Sequence, residues 1–233
     1  MDVAVTVSVR RQNGQVVEDR FWGTEPIKSL ASAMPWRTFR WYKGQKRYSG
    51  TYWSATVRDH VIYESRLELS RLLVADFDSS VRGIVAQPFL LKTLLEGKVR
   101  RHIPDYLLLT REVPVVVDVK PLHRLSKPEV AFTFGWTRRA VESRGWAYEV
   151  WSEPPAVKLE NIRFLAGYRR DWLFSPEVLE DLRELSSMVS LWGRPPAVCR
   201  IVRSLKSAPP SIICSGRGLS LPISIGRLAL LTF

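Results

Sequence analysis

Cysteine is nearly absent from this chain: Cys199 and Cys214 are the only two, far apart and in no CxxC pair. The only histidines, His60, His102 and His123, lie elsewhere, so no zinc site with ordinary ligand spacing can be read. The histidines read instead as surface or sheet residues, although His102 lies close to Asp105 in sequence. Reduced, cytosolic thiols are therefore expected. The opening Met-Asp-Val-Ala has neither a basic n-region nor an apolar core, which argues against a signal peptide. No uncharged apolar run approaches membrane-spanning length. The expectation is a soluble, cytoplasmic protein with no membrane partner. There is no G-x-S-x-G elbow and hence no serine-nucleophile context. Gly23-x4-Lys28-Ser29 lacks the glycine before its lysine and opens no clear helix, so it is not read as a phosphate loop.

Acids are also scarce. Lys and Arg number 35 against 23 Asp and Glu, giving +12 and a pI near 10.1. Such a surplus favours a polyanionic partner, because each phosphate neutralised releases a condensed counterion. The excess lies on both sides of residue 153, so a basic tail alone is the poorer model of attachment. The shortage is complete between residues 26 and 58. That stretch holds no acid, seven basic residues and seven aromatics, among them Arg37, Arg40, Lys43, Lys46 and Arg47. Two readings stand side by side. Cations can neutralise phosphates while aromatic faces stack on bases. Equally, a twisted β-hairpin around Gly44 and Gly50 can pack its aromatics inward and leave its cations solvated.

What is present in quantity is α/β pattern. Residues 3–9 alternate apolar and small polar side chains, and after an Asn13-Gly14 turn signal a second β-rich run extends from Val16 to Trp22. Glu64 to Asp76 is helical in period, with Glu64, Glu68, Arg71 and Ala75 in one narrow arc between leucines. Glu64 reads as the helix start and Glu68 as the deeper of the two acids. Strand-like runs follow at Ile84–Thr93, Ile103–Thr110 and Val113–Lys120, then a helix over Lys127–Gly145 and a strand over Trp146–Trp151. Helix, three strands, helix, strand make a mixed α/β sandwich. Glu153-Pro154-Pro155 is a natural boundary, and Ser175-Pro176-Glu177 a good helix start. The regions are thus 1–60, β-rich, basic and aromatic; 61–153, the α/β core; and 154–233, helical, with a Ser/Pro/Gly-rich segment at 204–224 suited to loops or a winged-helix wing.

Within the core, two acids and a lysine stand in a particular order. Asp105 follows Pro104 at a strand start; Asp118 is near the end of the next strand, with Lys120 two positions on. Residues i and i+2 of a strand share a side, so Asp118 and Lys120 project together. A hairpin pairing can bring Asp105 beside Asp118, and Glu68 is a plausible third carboxylate. Either short motif alone is ordinary. Their conjunction at the end of a strand that otherwise reads as buried is not. A carboxylate cluster suits a hard cation such as Mg²⁺, with Mn²⁺ able to substitute, and a neighbouring lysine can orient water or neutralise a transition-state phosphate. Arg100 and Arg101, on the approach to Asp105, join the expected DNA-binding cations.

Pro104-Asp105 … Asp118-Val119-Lys120 resembles the PD-(D/E)xK signature of restriction-endonuclease-like nucleases. Glu64-Ser65-Arg66-Leu67-Glu68, Ala75-Asp76-Phe77-Asp78, Ala86-Gln87-Pro88-Phe89 and Arg101-His102-Ile103-Pro104-Asp105-Tyr106 narrow this to a resemblance to the TnsA family. These are the endonuclease subunits of Tn7-like heteromeric transposases. The similarity runs from about Tyr42 to Arg170 and is faint over residues 186–233. It implies a restriction-endonuclease-like mixed sheet flanked by helices, and Mg²⁺-dependent cutting of double-stranded DNA at the 5′ ends of the transposon. It also implies an integrase-like transposase subunit as partner and an ATPase regulator. The family's glutamate matches Glu68, its strand acid Asp105 and its lysine Lys120; some members carry glutamine where this chain has Asp118. Gln87 matches a recurrent position of structural character. A stand-alone repair or restriction-type nuclease, or a non-catalytic DNA-binding module on the same fold, are the alternatives.

Overall fold

The computed structural model describes residues 4–37, 48–169, 174–181 and 184. The chain divides into two compact units, Met1–Leu173 and Phe174–Phe233. In the second, a helix opens at residue 176, where the Ser175 hydroxyl accepts the Val178 amide as the Ser-Pro-Glu pattern predicts. The Ser/Pro/Gly-rich segment and the suggested winged-helix module fall outside the described residues. Among the described residues no helix is long and apolar enough to cross a membrane.

The first unit is mixed α/β, with a β-rich amino-terminal part. Strand β1 (Val5–Arg10) turns through Asn13 and Gly14 into β2 (Val16–Phe21). Gly14 takes a φ of 81° and the Asn13 side chain accepts the Gln15 amide, so the expected hairpin forms for the expected reason. The short helix α1 (Ile27–Ala31) follows. Strands β3 (Gly50–Ser54) and β4 (Asp59–Tyr63) form a separate hairpin whose turn lies at residues 55–58. Gly50 therefore begins a strand rather than a turn, because Tyr63, its cross-strand partner, lays its ring where a β-carbon at 50 would stand. Gly44 is outside the described residues.

Helix α2 (Arg66–Phe77) precedes β5 (Val81–Ala86). The run read as one strand, Ile84–Thr93, is two strands in two sheets. Gln87 adopts a left-handed φ of 46° and Pro88 has no N–H to offer a ladder, so the chain leaves one sheet and enters the other as β6 (Leu90–Leu95). A strand that the sequence pattern does not announce, β7 (Lys98–His102), pairs back on β6 through Glu96 and Gly97, both at positive φ. Strands β8 (Tyr106–Thr110) and β9 (Val115–Val119) follow; β8 starts three residues later than expected. Then come α3 (Leu122–Leu125), α4 (Pro128–Glu142), β10 (Ala147–Trp151) and α5 (Ala156–Ala166).

One four-stranded sheet runs β2-β1-β6-β7 and the other β10-β9-β8-β5, with β9 and β10 parallel and the remaining pairs antiparallel. The helix–three strands–helix–strand order of the core is that of α2, β5, β8, β9, α4 and β10, consistent with an α/β nuclease-like fold. Residues alternate between two cores along its middle strands. Leu107 and Val116 join Val7, Val9, Leu91, Trp136 and Val141 on one side; Tyr106, Leu108 and Val117 join Leu72, Ala75 and Ile84 on the other. This sheet is covered on both faces, as the unbroken valines of β9 require. The Trp22 indole N–H donates to the Ala140 carbonyl at 2.6 Å, fastening the amino-terminal hairpin to α4.

Candidate active site

The start of β8 and the end of β9 lie at the same end of the mixed sheet. Tyr106 pairs with Val117, so Asp105 and Asp118 are the next opposed positions. The neighbouring strands meet them there. The Gln87 amide donates to the Asp105 carbonyl at 2.8 Å, and the Lys120 amide to the Trp151 carbonyl at 2.9 Å. Asp118 faces Val150 across the parallel ladder. Thus Asp105, Asp118 and Lys120 come together as their spacing predicts, and Lys120 acts electrostatically on Asp105.

The half-buried Asp105 accepts the Val119 amide at 2.6 Å. Its carboxyl is pushed well above the usual range by burial, then by the charges of Asp118 and Glu68, against partial relief from the Val119 amide and Lys120. Burial also raises the Glu68 carboxyl, opposed by the hydrogen bonds it accepts.

Those bonds correct the reading of α2. Ser65 is the N-cap, accepting the Glu68 amide at 3.1 Å, and Glu68 is the acid of the first turn. Its carboxylate receives the Ser65 hydroxyl at 2.8 Å and the Glu64 amide at 2.7 Å, a capping box in substance. Glu64 stands before the cap, not in the helix. It binds Arg37 at 3.1 Å and the Gln87 side-chain amide at 3.0 Å. Farther along the same arc Arg71 and Ala75 are buried, with Arg71 paired to Glu149 at 2.7 Å and stacked on Trp151.

Asp118 is held more tightly than its sequence context suggests. The side chain is 2% exposed, and the His102 Nε2 lies 2.9 Å from Oδ1 and 2.8 Å from Oδ2. The Tyr148 hydroxyl also donates to Oδ2. Burial, then Asp118, raises the Tyr148 phenol far above its ordinary range, so it remains a donor. His102 is thus a partner of the site rather than a plain surface or sheet residue, and nothing local in the sequence singles out Tyr148. The signal available is that β10 is parallel to β9, which puts Tyr148, two positions before the partner of Asp118, on the same face.

Gln87 ties this end together. Besides holding Asp105 and Glu64, it accepts the Arg37 amide on its side chain and the Trp36 amide on its carbonyl, both at 3.0 Å. Of the cations expected at DNA, Arg40, Lys43, Lys46 and Arg47 lie outside the described residues. Arg37 is engaged with Glu64. Arg100 lies over the Phe132 ring, 4.8 Å from its centroid, and approaches Glu96, whereas Arg101 is exposed on β7.

Among the described residues no three Asp, Glu, His or Cys side chains stand together as a ready-made metal-ligand group. The donor chemistry nonetheless fits a hard cation: oxygen carboxylates, desolvated and mutually repelling, as the raised Asp105 carboxyl shows. Asp105 and Asp118 are the residues that could hold it, and Glu68, which accepts one cap hydrogen bond on each oxygen, keeps lone pairs with which it could join them. Compared with known proteins, the chain matches no protein-family model and no curated sequence.

Proposed function

We propose that this chain is a Mg²⁺-dependent DNA endonuclease, the subunit of a Tn7-like transposase that hydrolyses phosphodiester bonds at the transposon's 5′ ends. The observation that carries the reading is the opposition of Asp105 and Asp118 at one sheet end, with Lys120 close enough to act on Asp105; burial, then the charge of Asp118, pushes the Asp105 carboxyl up. Asp105 and Asp118 would hold the metal, and Mn²⁺ should serve in its place. When bound, the cation supplies Lewis-acid polarisation of the phosphoryl oxygen and a more acidic water. Lys120 places a positive charge where the transition-state phosphate gathers negative charge. The Val119 amide orients Asp105, and Arg101, exposed on β7, offers a phosphate contact.

A second reading, a non-catalytic DNA-binding or assembly module, is favoured by the engaged state of Glu68 and Asp118. Nicking of a transposon-end duplex by the full chain decides between them, measured with Mg²⁺, Ca²⁺ or EDTA and with or without the integrase-like subunit. The nuclease reading expects Mg²⁺-dependent nicks that Asp105→Ala abolishes and Lys120→Ala slows by on the order of 10²–10³ while metal binding persists. Nicking undiminished in EDTA, or in both variants, overturns it. DNA binding without nicking under every condition supports the second reading. Equal nicking of any duplex by the chain alone points to a stand-alone nuclease.

A further inference from the structure

We propose that Tyr148 and His102 are positioning residues for Asp118, fixing its carboxylate so that only Oδ1 is free to meet a divalent cation; this rests on the metal-nuclease reading above. A carboxylate has about four lone-pair directions. The His102 Nε2 is shared between Oδ1 and Oδ2, and the Tyr148 hydroxyl takes a second direction on Oδ2. One direction is left, on Oδ1. A bidentate clasp of a cation by Asp118 is thereby excluded, and a single-oxygen bond of the kind an octahedral Mg²⁺ site uses is favoured.

The two donors come from different strands, β7 and β10, so they restrain the carboxylate from two directions. Each donor is itself held by packing. The His102 ring stands edge-on to Phe134 and Trp136, with centroids 6.1 and 6.2 Å apart. The Tyr148 ring contacts Phe134 at 6.4 Å and carries the Arg138 guanidinium 5.0 Å from its centroid. Outer partners of this kind fix the orientation of metal-binding side chains, and their loss weakens metal affinity by roughly 10–100-fold. Merely satisfying a buried acid would also require donors. The two roles differ in what the metal feels.

Calcium titrated calorimetrically into the full-length protein reads that difference without turnover, alongside metal-free thermal melts. We expect Tyr148→Phe, which keeps the ring packing, to weaken Ca²⁺ binding by roughly 10–100-fold, with a metal-free melt lowered only modestly by the loss of one hydrogen bond. His102→Leu should weaken binding likewise, with a larger fall in the metal-free melt because the buried Asp118 loses its other donor. His102→Gln, whose side-chain amide can occupy the Nε2 position, should recover most of the affinity. Folded Tyr148→Phe that binds Ca²⁺ as tightly as the wild type, while Asp118→Asn does not bind, overturns the positioning role and leaves the nuclease reading standing. A wild-type protein that binds neither Ca²⁺ nor Mn²⁺ overturns both. Should His102→Leu fail to fold, Tyr148→Phe decides alone.

Discussion

Ser65 and Glu68 cap α2 reciprocally: the Ser65 hydroxyl donates to the Glu68 carboxylate at 2.8 Å and accepts the Glu68 amide at 3.1 Å. A residue proposed for metal chemistry is therefore also a structural cap, and the two roles separate by substitution. Glu68→Gln keeps one oxygen, for the Glu64 amide, while its NH2 cannot accept the Ser65 hydroxyl, so its stability should fall by about 0.5 kcal/mol, whereas Glu68→Ala, which leaves neither acceptor, should cost about 1 kcal/mol. Both should depress single-turnover nicking by on the order of 10², because both remove the charge. Glu64→Gln removes the charge from a half-exposed pair with Arg37 while keeping an oxygen for the Gln87 side-chain amide, and should cost under about 1 kcal/mol. Nicking by Glu68→Gln at the wild-type rate would assign the residue to capping alone.

Asp105 carries a cost to the metal-free fold. Its carboxyl is raised by burial and by Asp118 and Glu68, so the folded chain holds this proton more tightly than the unfolded chain. The contribution to stability is present below the ordinary value of 3.8 and is lost as pH climbs through the raised one. Asp105→Asn keeps an oxygen for the Val119 amide and removes the charge. Melts without divalent metal should show the variant more stable than wild type near neutrality, with the curves converging in acid. The gap should be roughly 1.4 kcal/mol for every pH unit by which folding displaces the titration of the wild-type carboxyl. A variant that melts lower than wild type at about pH 7.5, where an ordinary carboxylate is fully ionised, refutes the account. Added Mg²⁺ should raise the wild-type midpoint and leave the variant's unchanged.

Asp76 behaves oppositely. Fully buried, it accepts the Tyr52 and Ser54 hydroxyls at 2.8 and 2.6 Å and the Ala55 and Thr56 amides, and it pairs with Arg169 at 3.3 Å. Burial alone would raise this carboxyl, but the hydrogen bonds from Ser54, Thr56 and Tyr52 outweigh it and bring it below the usual range. Its stabilisation is thus present above the ordinary carboxylate value and fades as pH falls through the lowered one. Asp76→Ala strands two hydroxyls, two amides and a guanidinium, and should cost on the order of 3 kcal/mol. Denaturant unfolding measures this; a loss below about 1 kcal/mol would show that water replaces the carboxylate.

Legibility followed the range of the interactions. The Asn13-Gly14 hairpin, α2, β9 and α4 could be read because their signals are local: a turn dipeptide, a period, a run of valines. The pairing of Asp105 with Asp118 was legible because strand alternation and a short hairpin leave few registers. Strand β7 was not, because Lys98–His102 is basic and only the Glu96-Gly97 turn marks it. Nor was the break at Gln87, which follows from its place between two sheets and its four hydrogen bonds. His102, Tyr148 and Asp76 act through partners 16, 30 and 20 or more residues away, so only the tertiary structure reveals them.

The basic surface yields a prediction in which neighbouring arginines part company. Arg101 is exposed on β7, while Arg100 lies against Phe132 and near Glu96. If DNA runs past β7 to the Asp105 end of the sheet, Arg101→Glu should weaken binding to all sequences alike. The slope of log affinity against log salt should shrink by about one for each phosphate that is no longer neutralised. Arg100→Ala should act mainly on stability, through weaker stacking worth about 0.5–1 kcal/mol, and leave the slope nearly unchanged. Charge reversal at Arg40, Lys43 and Lys46 extends the test to the acid-free stretch and should flatten the slope further. Fluorescence anisotropy with a labelled duplex across a salt series gives these slopes directly. An unchanged slope in Arg101→Glu would remove β7 from the DNA path, and an unchanged slope in the triple variant would assign that stretch to packing or to a protein partner.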